Sequence, residues 1–320
     1  MRILFFIIVC SVLVVSPALA IDHIEKHMAG ADLQGANLKG ADLKGFNLRG
    51  ANLSGANLSG AQLVNADLRE AYLREVNAEG ANLERANLGN ADLTRANLVN
   101  ASLRGASLTL AKLDGADLSG VRAVGAFLPG ASMFKARGVG ANFSGAFMPD
   151  LDLRQATFID ANLEKANLGG EGLGHPGPNG AKLQGANLTN AKLIGANLTN
   201  AGMMEVILIG ADLSNARLGW VDMTWVRAKG ANFSRANLSW TRAYGAEFIS
   251  ALFRGALMTS TQLTGVDARG ADFSGAKLYE VDLTQSRLAG ARFDGADLEN
   301  VNIYGSRNIP VSFKGEKDGE

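Results

Sequence analysis

The chain has 320 residues, with 31 basic and 31 acidic side chains, three histidines and one cysteine. A net charge of zero leaves no basic stripe to hold nucleic acid, and the lone Cys10 rules out a disulfide framework. Three histidines give no Ser/His/Asp arrangement, and no glycine-rich phosphate loop follows a strand.

Residues 1–20 stand apart from the rest. Arg2 is followed by an apolar run from Ile3 to Val15, and the segment ends Ala18-Leu19-Ala20. This reads as a cleavable secretory signal, too short to span a bilayer comfortably. The expectation is an exported protein, periplasmic or secreted, with no membrane span after cleavage. The mature chain then has no cysteine. It carries 30 basic against 31 acidic residues, a net of −1, because Arg2 leaves with the signal. In 21–30, Ile21, Ile24 and Met28 are spaced like an apolar helical stripe, which predicts a short helical N-terminal cap over the first strand edge. His23 and His27 stand four apart, but only Glu25 is near as a third ligand, so they are read as solvated and no metal is expected.

From Ala31 to Gly305 a five-residue frame recurs without slipping, giving 55 blocks. The third, central position is Leu, Phe, Met or Ile in 48 of them, and this is what makes the pattern a core. Two positions earlier stands Ala as a rule; two positions later stands Gly or Asn in many blocks. A period of five fits neither helix nor flat strand, so each block is an extended piece followed by a bend, and the whole is a solenoid. Inward volumes are traded. Where the centre shrinks to Ala the earlier residue grows, as in Val76 with Ala78, Val121 with Ala123, Val226 with Ala228, Thr241 with Ala243 and Val266 with Ala268. Ala136 with Gly138 breaks this rule and predicts a local defect or turn.

Charges set the number of blocks per coil. Just before the centre, between 212 and 302, positions four blocks apart form the opposite pairs Asp222/Arg242, Arg227/Glu247, Asp267/Arg287, Asp272/Arg292 and Lys277/Asp297, against one like pair, Glu247/Asp267. Separations of three or five blocks give more like pairs than opposite ones. Opposite charges on neighbouring strands stabilise, so four blocks make a coil. The predicted fold is all-β, with about 14 coils in a rod roughly 65 Å long.

Ala31-Asp32-Leu33, Ala36-Asn37-Leu38, Ala91-Asp92-Leu93 and Ala196-Asn197-Leu198 resemble the pentapeptide-repeat family, whose motif is A(D/N)LXX. The resemblance covers 31–305 and implies a right-handed quadrilateral parallel β-helix. It also implies two roles for the rod. One is a DNA mimic that binds a topoisomerase, which suits neither a near-neutral nor an exported chain. The other is a homodimer through the C-terminal end.

Departures from the frame mark the candidate sites. Phe127-Leu128-Pro129 recurs as Phe147-Met148-Pro149, which would stack Phe127 on Phe147 at an outer face, either as a contact site or shielded by the prolines. Residues 171–180, EGLGHPGPNG, cannot continue a ladder smoothly and predict a protruding loop or a bend near Pro176, with the phase beyond it open. Trp220, Trp225 and Trp240 each lie two places after a centre, among Arg217, Arg227, Arg235, Arg242 and Tyr244. Trp, Tyr and Arg are the residues that dominate binding hot spots. The bland alternative folds the rings over the corner. Triplets such as Asn187-Leu188-Thr189, Asn197-Leu198-Thr199 and Asn237-Leu238-Ser239 follow from the motif itself. Residues 306–320 are read as a cap, through Ile309, Val311 and Phe313, and a solvated tail. The function expected is a non-enzymatic exported scaffold without cofactor, contacting a protein or envelope component. The alternative is a carbohydrate- or peptidoglycan-binding module using the three tryptophans.

Overall fold

The computed structural model describes residues 26–170 and 180–313. The expected secretory signal over 1–20, residues 21–25 with His23, most of the expected protruding loop (171–179) and the tail after Phe313 lie outside the described residues. Among the described residues nearly all blocks take the same course, extended at the second residue and turning over the fourth and fifth; 166–170 lacks the turn, and the extension runs over three residues in Leu257–Thr259, Lys277–Tyr279 and Asp297–Glu299. The N–H groups of one block go to separate places. In the block 51–55, Asn52 donates back to Ala31 O of the preceding coil at 2.9 Å. Leu53 and Gly55 donate forward to Tyr72 O at 2.7 Å and Arg74 O at 2.8 Å, and Ala51 closes the preceding turn on Leu48 O at 3.0 Å. One donor remains, Ser54 N–H, and Asn52 Oδ1 accepts it at 3.2 Å. The Asp or Asn before each centre is therefore first a turn cap, a role the charge-ladder reading did not contain. The fifth residue turns the corner at positive φ, +65° at Gly35 and +57° at Asn65. This is why Gly and Asn recur there.

Parallel bridges join second-position residues four blocks apart, from His27↔Asn47 to Arg287↔Arg307. A coil is thus four blocks, with four faces set by the ladders through Asp32, Asn37, Asp42 and Asn47, called here first to fourth. Four of the five expected charge pairs meet: Arg242–Asp222 at 3.6 Å, Arg227–Glu247 at 3.9 Å, Arg287–Asp267 at 3.7 Å and Arg292–Asp272 at 3.9 Å. Lys277 and Asp297 are register partners, but Asp297 accepts from the Tyr279 hydroxyl instead.

Across 171–180 the register lengthens from four blocks to six: Asp152↔Lys182, Thr157↔Asn187, Asn162↔Lys192 and Asn167↔Asn197. Ala181 N–H donates to Leu168 O at 2.7 Å, the bond that any block makes to the centre before it. The chain thus leaves and rejoins the wall at one corner, between the fourth and first faces, and the coil closes without the two blocks' length of chain between. Gly180 fits there because a Cβ would lie 2.2 Å from Asn200 O.

Leucines fill the N-terminal core, and aromatic rings fill much of the C-terminal one. Phe233, Phe253, Phe273 and Phe293 stack at 4.8–5.0 Å, nearly parallel, and Phe313 closes the column edge-on at 5.2 Å. Of the expected C-terminal cap, Phe313 packs on the core, while Ile309 and Val311 stand exposed, Val311 at 97%. At the other end no helix forms among the described residues. Lys26 to Gly30 is one more block: His27 is bridged to Asn47, Met28 packs on the core and Gly30 turns at φ +64°. Met28 fits the central slot, so the ladder takes this segment in place of the expected helical cap.

Gly138 is not a defect. Its ladder continues, with Gly138 N–H on Thr157 O at 2.7 Å, and the Phe158 ring of the next coil occupies the missing volume. A Cβ on Gly138 would lie 2.5 Å from Phe158 Cε1. Volume is traded between coils as well as within a block. Gly138→Ala should therefore destabilise by about 1–3 kcal/mol through overpacking, and adding Phe158→Leu should recover much of it. Urea unfolding midpoints check both, and an unchanged Gly138→Ala midpoint contradicts the packing account.

Outer carboxylates also bind protons differently in the fold. Burial raises the Asp272 pKa, but hydrogen bonds from Ser274 and Arg254 outweigh it and hold the group at about 2. Hydrogen bonds from Arg69 and Arg269 are the main cause of the low values of Asp67 and Asp267. A depressed carboxylate contributes stability above its unfolded value near 4, and this is lost as pH falls toward the folded value. Unfolding free energy should be flat from pH 7 to about 5 and fall between about 4 and 2. Asp272→Asn should remove on the order of 2 kcal/mol of that fall. A pH series of urea melts with the same slope for parent and Asp272→Asn contradicts the assignment.

Candidate functional site

Each candidate residue is placed by its position in a block. Trp220 and Trp240 lie one coil apart on the corner between the fourth and first faces, their rings stacked at 4.8 Å and 6°. Trp225 lies on the next corner, between the first and second faces, and is 60% exposed. All three are fifth-position residues with φ of +63°, +59° and +58° respectively for Trp220, Trp240 and Trp225. A bulky residue in that region costs on the order of 1 kcal/mol or more. These corners carry exposed rings against the backbone's preference.

Between the two aromatic corners lies the first face, with Asp222 paired to Arg242. The Tyr244 hydroxyl donates to Gln262 Oε1, and Trp225 covers Gly245, where a Cβ would lie 2.2 Å from its Cζ3. Trp220, Trp225, Trp240, Arg242 and Tyr244 are thus one surface. Arg217 and Arg227 are not both part of it. Arg217 is on the fourth face and Arg227 on the second, because two blocks are half a coil. Arg227 lies near Glu247 there, and Arg235 sits on the corner between the third and fourth faces.

Phe127 and Phe147 are on the fourth face, stacked at 5.1 Å and 7°. A phenyl group cannot cap the fourth-position N–H as Asn does. Pro129 and Pro149 stand at that position and have no N–H to satisfy. The prolines remove an orphan donor, which explains the paired motif better than shielding of the rings. Leu110 extends the apolar surface, its Cδ2 lying 2.8 Å from where a Cβ on Gly130 would be.

The sequence missed one relation. A constant four-block count puts Phe127 and Phe147 on the side opposite Trp220 and Trp240. The six-block register across 171–180 brings both pairs to the fourth face and its corner. The frame of five gave no warning, since an interruption of two whole blocks leaves it unslipped. Only the Pro- and Gly-rich composition of 171–180 pointed to it. Elsewhere an open cavity of about 380 Å³ is lined by Lys39, Ser59, Glu79 and Asn100. Among the described residues no three His, Cys, Asp or Glu side chains gather as metal ligands, and no helix is long and apolar enough to cross a membrane.

The model of pentapeptide repeats matches in eight copies, over 31–70, 71–109, 139–170, 181–224, 222–259, 231–267 and 276–307, well over half the chain. The chain belongs to the pentapeptide-repeat family. Its repeats break at 171–180, between two of the matched stretches. Among solved structures it is similar to HetL, a pentapeptide repeat protein involved in heterocyst differentiation regulation in the cyanobacterium Nostoc. The identity is 24%, over 88% of this chain and 92% of that one, with a TM-score of 0.24. It is similar to QnrB1, a plasmid-mediated fluoroquinolone resistance protein, at 19% identity over 62% and 90%, TM-score 0.29. It is also similar to a pentapeptide repeat protein of the Arabidopsis thaliana thylakoid lumen, at 32% over 39% and 70%, TM-score 0.21. No curated protein matches the chain.

The stacked indoles make a spectroscopic prediction. Trp220 and Trp240 should give an exciton couplet in the far-ultraviolet circular dichroism, and either Trp→Ser substitution alone should abolish it while costing about 1 kcal/mol in stability. A couplet surviving Trp240→Ser contradicts the stack.

Proposed function

We propose that this chain is an exported, non-enzymatic scaffold, a right-handed rod of about 14 coils that presents flat faces for protein or cell-envelope contact. Right-handedness follows from the rule for crossovers between parallel strands. Export rests on the character of 1–20. The observation that carries the contact role is the set of exposed rings at left-handed corners, Trp220, Trp240 and Trp225. Solvated aromatic surface beside Arg242 and Tyr244 is the composition of a binding hot spot. Chemistry has no comparable support: carboxylates are accounted for as turn caps and cross-coil partners. The DNA-mimic role that the family resemblance suggests lacks the dense negative charge it needs.

A carbohydrate or peptidoglycan platform is the second reading, favoured by the exposure of Trp225. In the stacked pair each ring spends one face on the other, so a sugar platform would depend on Trp225. The test is crosslinking and mass spectrometry of the mature protein in its native compartment, with parent and Trp220→Ser/Trp240→Ser side by side. The double variant should keep the parent's circular dichroism below the exciton region and its unfolding free energy within about 2 kcal/mol, and lose the captured partner. Equal capture by both removes the reading, and Trp225-dependent retention of a glycan on an array supports the second one.

A further inference from the structure

The C-terminal coils sort their charges by face, although the chain as a whole is neutral. Along the second face there runs one ladder, Ile207↔Arg227↔Glu247↔Asp267↔Arg287↔Arg307, about 24 Å long. From 226 onward this face carries five cations, Arg227, Lys229, Arg269, Arg287 and Arg307, against two carboxylates, Glu247 and Asp267. The fourth face, on the opposite side of the same coils, carries Lys277 against Glu280, Asp297 and Glu299. The first and third faces are each within one charge of neutral there. The two carboxylates of the second face do not mask its cations. Asp267 lies under Arg269, at 2.8 Å, and Arg287, at 3.7 Å, and its side chain is 16% exposed against 50% and 62% for theirs. Glu247 meets Arg227 at 3.9 Å, and among the described residues Lys229 and Arg307 form no ion pair. Ile207, Ile209 and Ile249 stand half-buried on the same outer wall. Trp225 borders it at the corner with the first face, exposed.

We infer that the second face of these coils docks flat on a bilayer with anionic headgroups, the rod lying on its side. This deepens the envelope-contact reading, on which it rests for the compartment, and it uses a surface other than the Trp220 and Trp240 pair. Charge complementarity selects an anionic partner, since each Lys or Arg close to an anionic lipid surface strengthens binding about fivefold. The arrangement selects a bilayer over an acidic protein. A parallel ladder holds these side chains in one row on a flat wall, and a fluid surface meets a flat wall without having to match its relief. Arg and Lys stems lie along apolar surface while their heads reach phosphates, which lets Ile207, Ile209 and Ile249 enter the headgroup layer between them. Tryptophan is the residue most at home at that depth, its ring in the apolar layer and its N–H in the wet one. The carboxylates of the fourth face then point away from the membrane, so the rod has one favoured way up. The segment 171–179 leaves the wall between the fourth and first faces, a corner that the second face does not share.

Residues 21–320 include every described coil and leave out the apolar run from Ile3 to Val15, so vesicle binding by them reports the rod. In co-sedimentation they should bind vesicles of mixed phosphatidylglycerol and phosphatidylcholine at least about tenfold more tightly than vesicles of phosphatidylcholine alone, and salt should weaken the binding steeply. Lys229→Glu and Arg287→Glu should each lower it about tenfold or more. Lys277→Glu makes the same change in net charge on the opposite face and should leave it unaltered. The Trp220→Ser/Trp240→Ser variant keeps Trp225 as its one indole. Its fluorescence should move to shorter wavelength on the anionic vesicles and be quenched by brominated lipid, while inorganic phosphate, which brings no apolar layer, should do neither. Absence of binding to the anionic vesicles overturns the proposal. So does a loss with Lys277→Glu equal to that with Arg287→Glu, or a Trp225 emission that ignores the vesicles. Capture of soluble polyglutamate by a chain that does not bind vesicles also overturns it, in favour of an acidic protein. The crosslinking experiment on Trp220 and Trp240 decides the scaffold reading independently of any of these results.

Discussion

A coil of this rod satisfies its backbone only through the coils on either side of it. Of the five N–H groups in a block, one goes back, two go forward, one closes the turn and one is taken by the Asp or Asn side chain. No coil is stable alone, and stability accumulates between neighbours. This division of labour also frees the surface. The first and third positions are committed to the core and the fifth to a left-handed corner, while side chains at the second and fourth vary at small cost. Hence the same backbone carries an ion pair at Asp222 and Arg242, a turn cap at Asn52 and an aromatic stack at Phe127 and Phe147.

The same closure explains where unusual residues are tolerated. Phe127 gives up a turn cap only where Pro129 has no N–H to be capped. Gly138 gives up a core side chain only where Phe158 reaches across from the next coil. The tryptophans accept a strained corner without disturbing the ladder, since Trp220 N–H still reaches Ser239 O at 3.1 Å and Trp240 N–H reaches Thr259 O at 2.8 Å. In each case hydrogen bonding is preserved and the substitution is absorbed by packing or by solvent.

Most of the fold was legible in the sequence, because a solenoid repeats its physics. Leu at the centre of block after block gave the core, and Asp222, Arg242 and their like gave the four-block coil. Three things were not legible. Met28 reads as part of a helical stripe because a single block has no period of its own. Gly138 looked like a void because its filler, Phe158, lies a full coil further along the chain. The side on which Trp220 and Trp240 stand relative to Phe127 and Phe147 was hidden because the interruption is a whole number of blocks. Of the candidate site, the stacking of both aromatic pairs followed from the four-block spacing. The separation of Arg217 from Arg227 follows from the same spacing, but nearness in sequence masked it. Bringing both pairs to the fourth face and its corner required the register across 171–180.

That register is the claim on which the arrangement of faces depends, and one distance tests it. Nitroxide labels at Arg137→Cys and Arg227→Cys lie on the second face, four coils apart, so their backbones are separated by about 19 Å. Pulsed electron spin resonance on residues 21–320 and on a variant of them lacking 171–180 should give the same distance in both, since the coil closes without that segment. A distance that changes by a face width on deletion, with residue 227 carried round to the opposite side, would show that the segment is part of the wall and contradict the account.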